Sequence, residues 1–322
     1  MSHGDRSKKR VKVVLPSVSS FEVEYEDEEE LKNKICSKLE IEPELTNLIF
    51  VKKDEEEASF EEDIKPSYEV IVDYIWARQM ISLGDRQKKL RKANALVVGA
   101  GALGNEIVKN LAYLGFGTIK IVDYDTVELS NVSRSLFKKE DVGRNKAEVL
   151  AKKIKENSPY TKIESIPKRI EECDEQKLNA DVILSGLDNM PARVWLASFC
   201  VKNSTPLVDG GISEFQGRVQ TYLPDGACLA CTIPLDRYAE IMELSNPCDG
   251  YDVGAVASFS SVASIVGGVQ ANEAMKIVCG LPTLKGVLLM DFLNNNYSVL
   301  PLERNDSCFV CGKEIRKDVK IQ

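Results

Sequence analysis

Histidine is almost missing from this sequence: 322 residues contain one, His3, in the polar stretch MSHGDRSKKR. That scarcity excludes a Ser-His-Asp triad and any catalytic zinc site built on imidazole. Asp, Glu, Lys, Arg, Cys and the backbone must carry the chemistry. The first residues also lack the apolar stretch of a secretory signal, so the nine cysteines read as reduced thiols or metal ligands of a cytoplasmic protein. No uninterrupted apolar segment spans a bilayer. The least polar run, Val253 to Met275, is rich in Ala, Ser and Gly and is broken by Gln270, Asn272 and Glu273, which predicts a buried helix and no membrane partner. Neither half of the chain has a basic stripe, so nucleic acid is not an expected partner.

Charge divides the chain. Residues 1–75 hold 20 acidic and 11 basic side chains, a net of −9, and the remainder is left at +1. The step predicts two domains, 1–75 and 76–322. In the first, residues 11–24 alternate like two strands around a Pro-Ser turn, residues 28–41 place Leu31, Ile35 and Leu39 at helical spacing, and strands follow at 48–51 and 68–74. That order resembles the ubiquitin-like β-grasp. No Gly-Gly ends the segment, so it is expected to dock a partner rather than to be an activated carrier.

From residue 95 the pattern changes to alternating strands and helices. Strands are expected at 95–101, 118–125, 162–167, 180–186, 205–211 and 217–224, with helices over 105–115, 145–157 and 191–202. This predicts an α/β fold, a Rossmann-like, mostly parallel sheet with helices on both faces.

GAGALG, residues 99–104, follows an apolar strand and opens a helix, the context in which a glycine fingerprint binds phosphate. Gly99 permits a tight turn, Gly101 lets backbone approach an anion, and Gly104 allows close packing. Asp123 ends the next strand, where a carboxylate can accept from ribose hydroxyls. An NAD enzyme shares these features. The loop after Asp123 holds Asn131 and Arg134 and is followed by Lys146, and Arg134 and Lys146 add what a dinucleotide does not need, cations suited to a departing pyrophosphate. Asp188, after the strand ADVILSG, is placed to hold Mg2+.

Taken together, Arg78-Gln79, GAGALGNE, DYDTVELSNVSR, DVGRNK and LDN resemble the ubiquitin-activating enzyme superfamily, nearest to the ThiF/MoeB/HesA adenylyltransferases, over residues 76 to about 315. The resemblance implies that ATP is bound with Asp123 on the ribose, Asn131, Arg134 and Lys146 on the phosphates and Asp188 on magnesium. It further implies that Arg78 reaches into a partner subunit's site, which makes a homodimer. The implied partner is a ubiquitin-like or sulfur-carrier protein ending in Gly-Gly, and a conjugating or sulfur-transfer protein would act downstream.

CLAC, with Cys228 and Cys231, and CFVC, with Cys308 and Cys311, form two C-x-x-C pairs. Four thiolates so arranged suit a closed, structural Zn2+ site. Cys36, Cys200 and Cys279 read as core residues, and the carboxylates around Cys173 are expected to raise its pKa. Cys248, in the loop SNPCDGYD, is the candidate acceptor of the activated group, although it lies 22 residues before Gln270 where similar enzymes place the thiol closer to that helix. An ordinary thiol is about 3% ionised at pH 7, which can suffice against a mixed anhydride. Other readings remain: adenylation of a peptide or small acid without a cysteine, an NAD-binding oxidoreductase, and a non-catalytic adaptor.

Overall fold

Alternating valines begin the first sheet. In β1 (Lys9–Leu15) Val11 and Val13 are buried, and in the antiparallel β2 (Val18–Tyr25) Val23 and Tyr25 join them. Asp27 caps α1 (Glu28–Leu39) by accepting the Glu30 N–H, and Leu31 and Ile35 turn the helix onto the same core. β3 (Thr46–Lys52) and β4 (Tyr68–Tyr74) complete a sheet of order β2-β1-β4-β3, whose central pair is parallel and outer pairs antiparallel. This is the arrangement of a β-grasp.

The computed structural model describes residues 9–15, 18–52, 68–233 and 257–312. They divide into two units, one ending at Lys89 and the other starting at Leu90. The division falls beyond the charge step at residue 75 because two short helices without an acidic bias, α2 (Ala77–Leu83) and α3 (Arg86–Lys92), follow β4, and α2 packs on that strand.

The second unit is built on an eight-stranded sheet of order β12-β11-β10-β9-β8-β5-β6-β7. β5 (Asn94–Val98), β6 (Thr118–Val122), β7 (Lys162–Ile166), β8 (Val182–Ser185) and β9 (Leu207–Ser213) are parallel. β8 is buried along its whole length, as are four of the five residues of β5, the pattern of strands covered on both faces. Three strands extend the sheet antiparallel: β10 (Gln216–Tyr222), β11 (Val287–Asp291) and β12 (Asn296–Leu300).

Helices cover both faces. α4 (Ala102–Leu114) leads from β5 to β6 and α5 (Lys146–Asn157) from β6 to β7, while α6 (Met190–Lys202) connects β8 to β9. Because the strand order reverses between β5 and β8, right-handed crossovers place α6 opposite α4 and α5. There α6 packs with Leu96, Val98 and Ile183. The apolar run near the C-terminus forms α7 (Ser260–Cys279), which lies against α4. Gly267 makes this approach possible, since a Cβ there would come within 2.8 Å of the Glu106 Cβ. The helix thus starts later and ends later than the run Val253–Met275: residues 253–256 lie outside the described residues, Ser258 bridges to Glu214, and Gly280 (φ +66°) ends the helix. Among the described residues no helix is long and apolar enough to cross a membrane.

Candidate functional site

Strand register places the sequence motifs in one row. Val98 pairs with Val122 on one side and with Ser185 on the other, and Ser185 pairs with Asp209. The residues that follow these partners, the glycine turn, Asp123 and the Gly186–Asp188 turn, share the carboxyl edge of the parallel sheet. Between β5 and β8 lies its topological switch point, where open sheets of this kind bind ligands.

The three glycines differ in what fixes them. Gly99 has φ +96°, and a Cβ there would meet the Gly186 carbonyl oxygen at 2.7 Å, so both conformation and space demand glycine. At Gly104 a Cβ would fall 1.9 Å from the Gly99 oxygen, so this glycine packs against the turn's own backbone. Gly101 has nothing within 4 Å of its missing Cβ. It is also the N-cap of α4 and supplies no side-chain cap, leaving helix N–H groups for an external anion.

Asp123 braces this turn. One carboxylate oxygen accepts the Ala100 N–H at 2.6 Å and the other the Asp125 N–H at 2.8 Å. Burial pushes its pKa up, opposed by those two N–H groups and by Lys146. Each oxygen keeps a lone pair for a ribose hydroxyl.

Asn131 lies in a 3-10 segment, Leu129–Arg134, where its side-chain oxygen accepts the Glu128 N–H at 3.0 Å. Arg134 ends that segment half-buried, and among the described residues its guanidinium has no hydrogen-bond or ion-pair partner. Lys146 begins α5, and its Nζ is 2.9 Å from Asp125 Oδ2. Asp188 is exposed directly ahead of α6, without a hydrogen bond or ion pair among the described residues. A hard, unencumbered carboxylate of this kind fits magnesium, which is usually held by one or two carboxylates plus substrate phosphates. Arg78 is exposed on α2 in the N-terminal unit.

Sequence reasoning missed the residues that connect these parts. Asn105, fully buried, donates to the carbonyls of Ala100 and Gly101 and accepts the Leu136 N–H at 3.1 Å, tying the glycine turn to the chain just beyond Arg134. Asn145 caps α5 and donates to the carbonyls of Asp123 and Asp125. In the sequence both are only letters inside GAGALGNE and DVGRNK.

The four cysteines of the C-x-x-C pairs converge. Their sulfurs lie within 4.8 Å of one another, with 3.9 Å between Cys228 and Cys231, 3.6 Å between Cys228 and Cys308 and 3.4 Å between Cys231 and Cys311. A tetrahedral zinc with Zn–S bonds of about 2.3 Å requires sulfur separations of about 3.8 Å. Backbone N–H groups of Asn305 and Val310 point at the sulfurs of Cys231 and Cys308, as suits thiolates. Contact with Cys228 and Cys231 pushes the Cys308 thiol down, while Cys231 and Cys308 push Cys228 up. The donor set fits zinc, which there would be structural, fastening residues 308–311 to the 3-10 turn Leu229–Thr232 and, through it, to α6.

Cys36, Cys200 and Cys279 are buried, as core residues should be. Cys173 does have a raised pKa, with burial as the main cause and Glu172 and Glu171 as minor ones. Cys248 lies outside the described residues.

Comparison with known proteins identifies the family. The ThiF family matches residues 76–310. The chain is 33% identical to the SAMP-activating enzyme E1 of Haloferax volcanii over 232 residues, covering 70% of this chain and 83% of that protein. It is 32% identical to the sulfur carrier protein ThiS adenylyltransferase of Escherichia coli, covering 71% of this chain and 89% of the relative. Among solved structures, E. coli MccB with ATP superposes with a TM-score of 0.64 at 22% identity, covering 74% of each chain, a likeness of fold. The chain belongs to the ThiF family within the ubiquitin-activating superfamily, and it is an enzyme of the adenylyltransferase type.

Proposed function

We propose that this enzyme uses ATP to adenylate the C-terminal carboxylate of a ubiquitin-like or sulfur-carrier protein. The observation that carries the reading is the row along the carboxyl edge of the sheet, an uncapped helix N-terminus at Gly101, the carboxylate of Asp123 and the open carboxylate of Asp188, to which Lys146 is joined through Asp125 and the segment of Arg134 through the Asn105–Leu136 hydrogen bond. A dinucleotide would use the first two, whereas a triphosphate uses all of them. The relatives' names point the same way.

In this reading Asp123 accepts from the ribose, and the α4 N-terminus together with Asn131 receives phosphate oxygens. The carrier's carboxylate, already ionised, attacks the α-phosphorus. The bond from that phosphorus to the bridging oxygen breaks, and pyrophosphate leaves with its charge held by Arg134 and Lys146. Magnesium on Asp188 would neutralise phosphate oxygens. No general base is required, in keeping with a chain whose one histidine is His3. The acyl adenylate then loses AMP to a sulfur nucleophile, the Cys248 thiolate or an external sulfur donor. Arg78 is assigned to the site of a second copy in a homodimer.

Exchange of labelled pyrophosphate into ATP tests the first step, and it should depend on a carrier ending in Gly-Gly. Exchange with a short peptide and none with any carrier would move the enzyme to the peptide-adenylating reading. Cys248→Ala should keep exchange and lose a thiol-sensitive conjugate; a conjugate that persists removes Cys248 from the mechanism.

A further inference from the structure

Arg193 takes no part in the steps above, yet it is 7% exposed beneath the site. Its guanidinium is committed on several sides. Nε donates to the Leu187 carbonyl at 2.8 Å, and Nη2 donates to the same carbonyl and to that of Gly210 at 2.8 Å. Nη1 lies 3.4 Å from Asp209 Oδ2, which also accepts from Arg218 at 2.7 Å. The Leu187 carbonyl directly precedes Asp188. On the other side of Asp188, Asn189 caps α6 by accepting the Ala192 N–H.

We infer that Arg193 is a positioning residue for adenylation, fixing the Leu187–Asp188 turn against β9 so that the Asp188 carboxylate is held ready for magnesium; the inference rests on the function proposed above. Stability alone does not call for a guanidinium in this place. A buried cation carries a desolvation cost that an apolar side chain of similar volume avoids, and burial does push the Arg193 pKa down despite Asp209. What an apolar residue or a lysine cannot do is present several donors in one rigid plane to two carbonyls and a carboxylate on separate segments. The Gly186 side of this turn is braced separately, because Gly99 lies against the Gly186–Leu187 backbone, which leaves the Leu187–Asp188 side to Arg193.

A magnesium series of calorimetric ATP titrations on the full chain separates positioning from a general structural role. In Arg193→Lys and Arg193→Gln we expect magnesium-free ATP affinity to stay within about twofold of wild type, and the gain in affinity on adding magnesium to fall about tenfold, equivalent to about 1.4 kcal/mol. In Asp188→Asn that gain should already be lost, and adding Arg193→Gln should change it no further, because the two residues act through one element. Equal weakening with and without magnesium, or additive losses in the double variant, overturns the inference. Should Arg193→Gln fail to fold, Arg193→Lys decides alone, and an unchanged magnesium gain there overturns it. A wild-type chain that binds no ATP under any condition removes the functional reading itself, and the role of Arg193 falls with it.

Discussion

Lys146 is held by Asp125: the ammonium lies 2.9 Å from the carboxylate, with the lysine side chain 13% exposed and the aspartate 45%. The ion pair fixes a flexible cation at the end of β6, beside Asp123 and at the first turn of α5. Because the aspartate is nearly half exposed, the pair contributes little to stability, and its consequence is orientation. We expect Lys146→Ala to slow pyrophosphate exchange by about 10²-fold or more, the usual effect of removing one preorganised electrostatic donor. Asp125→Asn leaves the charge and removes its guide, so its loss should be several-fold smaller and appear mainly in KM for ATP. Steady-state exchange kinetics on the two variants check the order, and equal losses would place Asp125 itself among the groups that meet the nucleotide.

Asp123 sets a pH dependence. Burial raises its pKa above the ordinary 3.8, so the folded protein keeps the proton to a higher pH than the unfolded chain does. The favourable contribution to stability is therefore complete below about 3.8 and is lost as pH rises through the folded value. In the proposed function nucleotide binding runs the other way, because an ionised carboxylate would accept from the ribose without offering a competing donor. ATP affinity should climb as pH passes the raised value and then level off. In Asp123→Asn that step should disappear, and a pH series of ATP dissociation constants reads it directly.

The cysteine cluster makes a statement about folding. Four sulfurs within 4.8 Å tie a segment more than seventy residues downstream to the turn beneath α6. We expect one zinc per chain by elemental analysis. Stripping it with a chelator at neutral pH should lower the thermal midpoint and make the chain after β12 sensitive to protease, since ligand binding is coupled to folding in such sites. Cys311→Ser should do the same at saturating zinc. Full zinc content and an unchanged midpoint in that variant would mean that the cluster is only packing.

Much of this site is legible in the sequence because its chemistry depends on short spacings. GAGALG, the two C-x-x-C pairs and the parallel strands that run apolar throughout can be read locally. Asn105, Asp125 and Arg193 cannot, for their decisive partners are 31, 21 and 17 residues away and become neighbours only when the sheet aligns its carboxyl ends. β11 and β12 are not legible in the sequence either. All five residues of β12 are exposed, so the strand lacks the inside-outside alternation that marks a half-buried one. The β-grasp unit is the opposite case: Val11, Val13, Val23 and Leu31 are spaced as their burial requires.

Gly101 and Gly104 sit three residues apart in one motif, and the structure gives them separable duties. An alanine at Gly104 would drive its methyl to 1.9 Å from the Gly99 carbonyl, so the turn must open or α4 must move, at a cost of about 1–3 kcal/mol. Gly104→Ala should therefore lower the thermal midpoint and weaken ATP binding together. An alanine at Gly101 meets nothing within 4 Å, and φ of −70° suits any residue. Gly101→Ala should fold with a wild-type midpoint. Its methyl would nevertheless occupy the open approach to the α4 N-terminus, where the proposed function brings phosphate oxygens close to the backbone, so ATP affinity should fall by about tenfold or more, against the roughly 1.4 kcal/mol that each factor of ten represents. Paired melting and calorimetry on the two variants make the comparison, and a Gly101→Ala chain that keeps wild-type affinity would show that phosphates do not enter over this glycine.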